Sequence, residues 1–177
     1  MKLFYALDFS DREKRRIAGI RDQAAAWSRS GRFVSEEKLH MTLVFLGETD
    51  SGLLLPLLEL LDGLVPTPFF LECGFLGSYP RRGGGILWLG VRPDARLIAM
   101  QAELNARLRP LGLGGTDASF SPHITLGRKV KLPQGEPSPS IPTLRLRVSQ
   151  ETLCLMESKM VDGKSLYERC RPPSQWF

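Results

Sequence analysis

A chain of 177 residues, 42% hydrophobic and 24% charged, has ordinary globular composition and the length of one compact domain or two small fused lobes, which excludes a pair of large domains, a disordered polymer and a collagen-like repeat. At this size about 70% of the unfolded surface is buried on folding, so a hydrophobic core needs no disulfides. Lysine and arginine outnumber aspartate and glutamate to give a formal charge of +5, which suits an anionic ligand without naming one.

Lys2 to Phe9 is rich in aromatic and branched residues and reads as a strand, and Ser10 with Asp11 then starts a helix. Ile17, Ile20, Ala24 and Trp27 recur at spacings of three and four, the stripe of an amphipathic helix over 11–29 that Gly31 is expected to close. Leu39 to Leu46 alternates polar His40 and Thr42 with apolar Leu39, Met41 and Leu43, the period-two pattern of a strand. Ser51 to Leu64 reads as a short helix, and Phe69 to Phe75 and Gly85 to Val91 read as strands around a basic, glycine-rich loop over 79–84. Asp94 to Leu108 repeats the helical stripe through Leu97, Met100, Leu104 and Leu108, and Pro110 with Gly112 ends it. Phe120 to Leu126 alternates like the His40 strand, and three further strands are expected at Leu144 to Val148, Thr152 to Glu157 and Ser165 to Cys170.

The longest apolar stretch, Leu53 to Val65, is broken by Pro56, Glu59 and Asp62 and is too short for a membrane span of about 20 residues. The apolar run Leu3 to Leu7 is shorter than a signal core and is followed at once by charge, so a reducing cytoplasm is the expected setting and no membrane is a partner. Cys73, Cys154 and Cys170 form no CxxC pair and read as small buried apolar residues rather than as a disulfide frame or zinc knot.

The chain holds two histidines, and both begin the same pattern: His40-Met41-Thr42-Leu43 and His123-Ile124-Thr125-Leu126. From the composition, the chance that both are followed by apolar-Thr-Leu is on the order of 10⁻⁵, and an internal duplication into two lobes accounts for the repeat economically. Residues i and i+2 of a strand share a face, so each histidine points the same way as its threonine, and two such strands face to face make a cleft of two imidazoles and two hydroxyls. That set suits metal-free phosphodiester chemistry. A neutral imidazole takes a proton from water, an imidazolium gives one to a leaving oxygen, and the threonine hydroxyls hold the phosphate oxygens. A lone strand histidine is more often simply packed, but twin copies make that the weaker reading here. Zinc would need further ligands that stand at no helpful spacing, and no GxSxG elbow supports a serine hydrolase. Gly83 to Gly85 lacks the GK[ST] ending of a nucleotide-binding P-loop.

The segments Leu39-His40-Met41-Thr42-Leu43-Val44-Phe45-Leu46-Gly47 and Ser121-Pro122-His123-Ile124-Thr125-Leu126-Gly127-Arg128 resemble the paired signatures of the two-histidine (2H) phosphoesterases. The closest resemblance is to their RNA 2′,3′-cyclic phosphodiesterase branch, also called 2′-5′ RNA ligase or LigT-like. It extends to the opening strand and helix, to Pro80 to Gly90, and to the late Ser158, Gly163 and Tyr167. The resemblance implies an α+β, bilobal fold in which two antiparallel sheets with outer helices are related by a pseudo-twofold about a central cleft. The whole of 1–177 would be one such domain of two duplicated lobes. It implies hydrolysis of a terminal 2′,3′-cyclic phosphate to a 2′-phosphomonoester, with ligation through a 2′-5′ linkage as the reverse reaction. Neither metal nor other cofactor is implied, and the partner is an RNA 3′ end. By residue type either histidine can take either role, and the resemblance assigns His40 as general acid and His123 as general base.

Arg128, three residues after Thr125, matches a family arginine that faces the substrate phosphate, as its planar fork allows. Arg81 and Arg82 are candidates for guiding the RNA backbone, although three glycines set them farther from the following strand than the family pattern does. Phe4, Tyr5, Tyr79 and Phe120 are candidates for stacking on a terminal base, against the commoner role of such residues in a core. The alternatives are a related enzyme acting on ADP-ribose cyclic phosphate or an oligoadenylate, and an RNA-end-binding module without turnover. A monomer touching only the last few nucleotides is the expected working form.

Overall fold

The computed structural model describes residues 1–113 and 120–172. Strand β1 (Lys2–Leu7) lies between β3 (Met41–Glu48) and β8 (Leu153–Val161), and β9 (Lys164–Arg169) completes a four-stranded antiparallel sheet in the order β3-β1-β8-β9. A second antiparallel sheet has the order β2-β6-β5-β4-β7, from β2 (Ser30–Phe33), β6 (His123–Lys131), β5 (Gly85–Val91), β4 (Phe69–Tyr79) and β7 (Leu144–Val148). Helices α1 (Asp11–Trp27), α2 (Leu54–Glu59) and α3 (Ala95–Leu108) complete an α+β architecture.

Each long helix begins where local chemistry fixes it. Ser10 caps α1 in a reciprocal box with Glu13, and Asp94 accepts from the amides of Arg96 and Leu97 at the head of α3. The stripes Ile17, Ile20 and Ala24 of α1 and Leu97, Met100, Leu104 and Leu108 of α3 are buried in one continuous core with the inward residues of both sheets. Leu3, Tyr5 and Leu7 are the inward set of β1, and the Tyr5 hydroxyl donates to the Leu57 carbonyl of α2 at 2.8 Å. Burial pushes the Tyr5 phenol above its ordinary value.

Several expected boundaries shift. Helix α1 stops at Trp27, where Ser28 turns extended, and Gly31 is not its stop but part of β2, a strand absent from the sequence reading. A Cβ on Gly31 would stand 2.8 Å from Val130 Cγ2, so glycine is what lets this edge strand close on β6. The Ser51 to Leu64 helix shrinks to Leu54–Glu59 with one tight turn before it. Strand β4 continues through Tyr79, leaving 80–84 as the hairpin loop. His40 sits just before its strand rather than in it, whereas His123 is the first residue of β6. Among the described residues no helix is long and apolar enough to cross a membrane.

The two sheets meet where β3 approaches β6. Each histidine-bearing strand pairs with the strand that feeds the preceding long helix: β3 with β1, which leads into α1, and β6 with β5, which leads into α3.

Candidate active site

A cleft of about 370 Å³ opens between the sheets. Lys2 and Phe4 from β1, His40, Thr42 and Phe45 around β3, Ser158 and Met160 from β8 and Ser165 and Tyr167 from β9 line one side. His123, Thr125 and Arg128 of β6 line the other, and Lys38 and Val34 close it. Among the described residues three cationic side chains and no carboxylate stand in this wall, so the cleft favours an anion.

The two imidazoles are held alike. His40 Nδ1 lies 2.7 Å from the Lys38 carbonyl and His123 Nδ1 lies 2.8 Å from the Ser121 carbonyl, in each case two residues upstream. A carbonyl only accepts, so each Nδ1 carries the proton and each neutral ring leaves its Nε2 lone pair unprotonated. Thr42 Oγ1 donates to His40 Nε2 at 3.2 Å. Aromatic rings pack against both imidazoles. Phe4 and Tyr167 lie 5.2 and 5.3 Å from the His40 ring, and Tyr79 and Trp88 lie 5.4 and 5.9 Å from the His123 ring. Packing of this kind holds a ring in one orientation without competing for its nitrogens.

Beneath His40 is a charge cluster. Lys14, buried, reaches Asp8 Oδ1 at 2.5 Å and the Glu37 carbonyl at 3.0 Å, while Arg169 Nε donates to Asp8 Oδ2 at 2.7 Å. Burial lowers the His40 pKa below its ordinary value. The Lys38 carbonyl and the Asp8 charge pull it back up, and Lys14 and Arg128 push it further down. His40 is therefore biased toward the neutral form.

Arg128 reaches the cleft through a bulge. Trp88 pairs with Thr125, Leu87 with Gly127 and Gly85 with Val130, so β6 carries one extra residue on each side of Gly127, and in the second of these bulges Lys129 takes a left-handed φ of 52°. The first shift buries Leu126 and Gly127 in succession and so turns Arg128 outward, where unbroken alternation would have put it on the core side with Ile124 and Leu126. A Cβ on Gly84 would lie 2.5 Å from the Lys129 carbonyl carbon, so the 80–84 loop fits against the bulge only as glycine. A similar shift in β3 buries Leu43 and Val44 in succession and turns Phe45 outward.

Of the residues singled out in the sequence, His40, Thr42, His123, Thr125, Arg128 and Phe4 come together in the cleft. Tyr79 stands behind His123 instead of lining the cleft, and its hydroxyl meets Ser121 Oγ at 3.3 Å. Phe120 packs partly buried against the main core, and Tyr5 is wholly inside it, because both lie on apolar faces. Arg81 lines a separate depression with Arg29 and Lys131 at the far end of β6, and Arg82 lines neither, since the hairpin projects away from the histidines. Trp88, Phe45 and Lys38 were not anticipated; for Trp88 the signal was available in the alternation of Ile86, Trp88 and Gly90 along β5. Among the described residues no group of three or more His, Cys, Asp or Glu side chains is placed to hold a metal ion.

The family model described as the 2′-5′ RNA ligase superfamily matches residues 9–159. The RNA 2′,3′-cyclic phosphodiesterase of Archaeoglobus fulgidus is 30% identical over 129 residues, covering 72% of this chain and 72% of that protein. The protein of the same name from Escherichia coli is 34% identical over 135 residues, covering 72% of this chain and 71% of the other. The crystal structure of E. coli LigT complexed with 3′-AMP superposes with a TM-score of 0.74 at 24% identity, covering 96% of this chain and 95% of that one, a likeness of fold.

Proposed function

Because the chain belongs to the 2′-5′ RNA ligase superfamily, we propose that it is an RNA 2′,3′-cyclic phosphodiesterase that opens a terminal cyclic phosphate to a 2′-phosphomonoester. The observation that carries this is the matched tethering of two imidazoles from different sheets, each with Nδ1 bound to a carbonyl, beside a cleft that among the described residues holds cations and no carboxylate.

The phosphorus sits between the two Nε2 atoms. His123 Nε2 takes a proton from water as the water oxygen bonds to phosphorus, and His40 Nε2, protonated, delivers its proton to the 3′ oxygen as the P–O3′ bond breaks. One water is consumed, the 2′ ester bond survives, and solvent exchange returns the proton from His123 to His40. Thr42 and Thr125 donate to the non-bridging oxygens, and Arg128 neutralises the charge that builds there. Burial holds the His40 pKa down, and an anionic phosphate between the rings favours its imidazolium form. With a 5′ hydroxyl in place of water as the nucleophile, the same two proton transfers open the cyclic phosphate into a 2′-5′ linkage as the P–O3′ bond breaks.

We also propose that residues 1–177 form one domain of two duplicated lobes, on the parallel between β1-α1-β3 and β5-α3-β6, each ending at a His-x-Thr. The working form is a cytoplasmic monomer that needs no metal. The test is incubation with excess EDTA and a short RNA ending in a 2′,3′-cyclic phosphate, with the product identified as a 2′- or 3′-phosphate. A 2′-phosphate supports the proposal. A 3′-phosphate, or turnover that EDTA abolishes, overturns it, and turnover of ADP-ribose cyclic phosphate in preference to RNA moves the substrate class.

A further inference from the structure

The face of the five-stranded sheet that carries His123 does not end at the cleft. Across the strands His123 pairs with Gly90 and Gly90 with Phe75, so one row joins the two residues, whose backbones stand two strand spacings or about 10 Å apart. The Phe75 ring occupies the space a Cβ on Gly90 would take, at 2.2 Å, and Trp88 fills the corresponding space above Gly77 at 2.1 Å. Glycine in both rows is what keeps this face open to aromatic rings. Past a register shift at Gly74, Phe70 and Glu72 continue on the same side, and on the neighbouring strand they pair with Arg147 and Arg145.

The result is a strip of rings and cations in which the one carboxylate among the described residues, Glu72, is paired with Arg92 at 3.2 Å. Phe75 is 45% exposed and Phe70 44%, unusual values for phenylalanine in a sheet. The Arg145 guanidinium lies 4.7 Å from the Phe70 ring centroid. Beyond them a groove of about 410 Å³ is walled by Arg145, Arg147, Arg12, Arg16 and Arg169 with Phe70 at its edge. Its carboxylates are Asp8, held by Lys14 and Arg169, Glu13, held by the Ser10 cap and the Arg147 amide, and the exposed Glu151, whose only cationic partner among the described residues is Arg147 at 4.0 Å. Among the described residues no carboxylate pairs with Arg12, Arg16 or Arg145.

We infer that this strip is a track for the single-stranded RNA that precedes the reacting phosphate. The nucleotides upstream of the cyclic end stack on Phe75 and then on Phe70, and their phosphates are met by Arg145, Arg147 and Arg12. Any base offers a π-face, so such a track accepts RNA without reading its sequence, and its continuity with the phosphate cleft through the His123 row favours RNA over a protein partner. The track spans three strands and holds only a few nucleotides, so the gain from substrate length saturates early. This inference rests on the phosphodiesterase reading.

The test compares a nucleoside 2′,3′-cyclic phosphate with a short oligonucleotide ending in the same cyclic nucleotide, for the wild-type protein, Phe70→Ala and Arg145→Gln. The readout is the ratio of the two kcat/KM values. Stacking on exposed rings predicts a wild-type ratio of about tenfold or more that falls toward one in both variants and weakens with added salt. A ratio near one in the wild type, or a ratio that both variants retain, overturns the track. Fluorescence anisotropy with the same oligonucleotide bearing no terminal phosphate runs alongside. If neither cyclic substrate is turned over, the phosphodiesterase reading fails, and the anisotropy still decides: weaker RNA binding by both variants supports the track, and equal binding overturns it and leaves the face to a protein partner.

Discussion

Replacing Asp8 by Asn perturbs stability and the catalytic ring at once. Its carboxylate is shared between Lys14 at 2.5 Å and Arg169 at 2.7 Å, with the Lys14 side chain only 10% exposed and that of Asp8 14%. Removing one member of a buried ion pair is destabilising by about 3–5 kcal/mol because the partner charge is left without compensation. Arg169 keeps more solvent and also donates to the Asp8 and Glu151 carbonyls, which Asn leaves in place, so about 2–3 kcal/mol is the expected loss here. For a chain of this size that is a fall in Tm of about 5–10 °C. The same charge raises the His40 pKa, so its removal moves the His40 titration further below the ordinary histidine range. With two histidines in the chain, NMR titration of the ring protons resolves both. An unchanged Tm with an unmoved His40 midpoint, or a midpoint that rises, would refute the argument that Asp8 supports this ring.

Changing Gly84 to Ala places a Cβ 2.5 Å from the Lys129 backbone at a φ of 120°, so the bulge must move and Arg128 with it; kcat/KM should fall roughly tenfold or more, the worth of a hydrogen bond to a charged group, and an unaltered value would detach the bulge from catalysis. Thr42→Val keeps the shape and removes the hydroxyl that meets His40 Nε2, with an expected loss of about 10- to 100-fold in kcat/KM, measured under subsaturating substrate. Because the folded His40 pKa is lowered, the unfolded chain binds the extra proton first: stability is highest above the ordinary value near 6.5 and falls as pH drops through the folded value. Denaturation midpoints across that window should show this slope in the wild type and lose that component in His40→Gln.

What could be read in the sequence was whatever a side chain declares locally. Period-two alternation placed His40 with Thr42 and His123 with Thr125 on one face, and the three-and-four spacing of Ile17 and Leu97 with their partners fixed both long helices. The four-residue strand Ser30–Phe33 carries a single apolar residue, and its pairing depends on how closely Gly31 approaches Val130, which no local pattern encodes. The Arg128 bulge is equally hidden, since it is an extra residue counted against two partner strands. Asp8 and Arg169 are 161 residues apart in the chain, so the cluster under His40 exists only once β1 and β9 share a sheet. Tyr79 stands behind His123 because strand register sets its face, and Phe120, in the segment before β6, packs against the core, neither of which a local pattern declares.

The assignment of two imidazoles to separate proton transfers is tested most directly by a change of leaving group. RNA ending in a 2′,3′-cyclic phosphate, and the same RNA with sulfur replacing the bridging 3′ oxygen, would be given in excess EDTA to the wild type, His40→Ala and His123→Ala. A thiolate leaves without protonation, so the account predicts that both variants lose about 10²- to 10⁴-fold on the oxygen substrate and that sulfur restores His40→Ala while leaving His123→Ala impaired. Restoration of His123→Ala instead would exchange the two roles, and oxygen-substrate turnover that survives both substitutions would contradict the two-histidine mechanism.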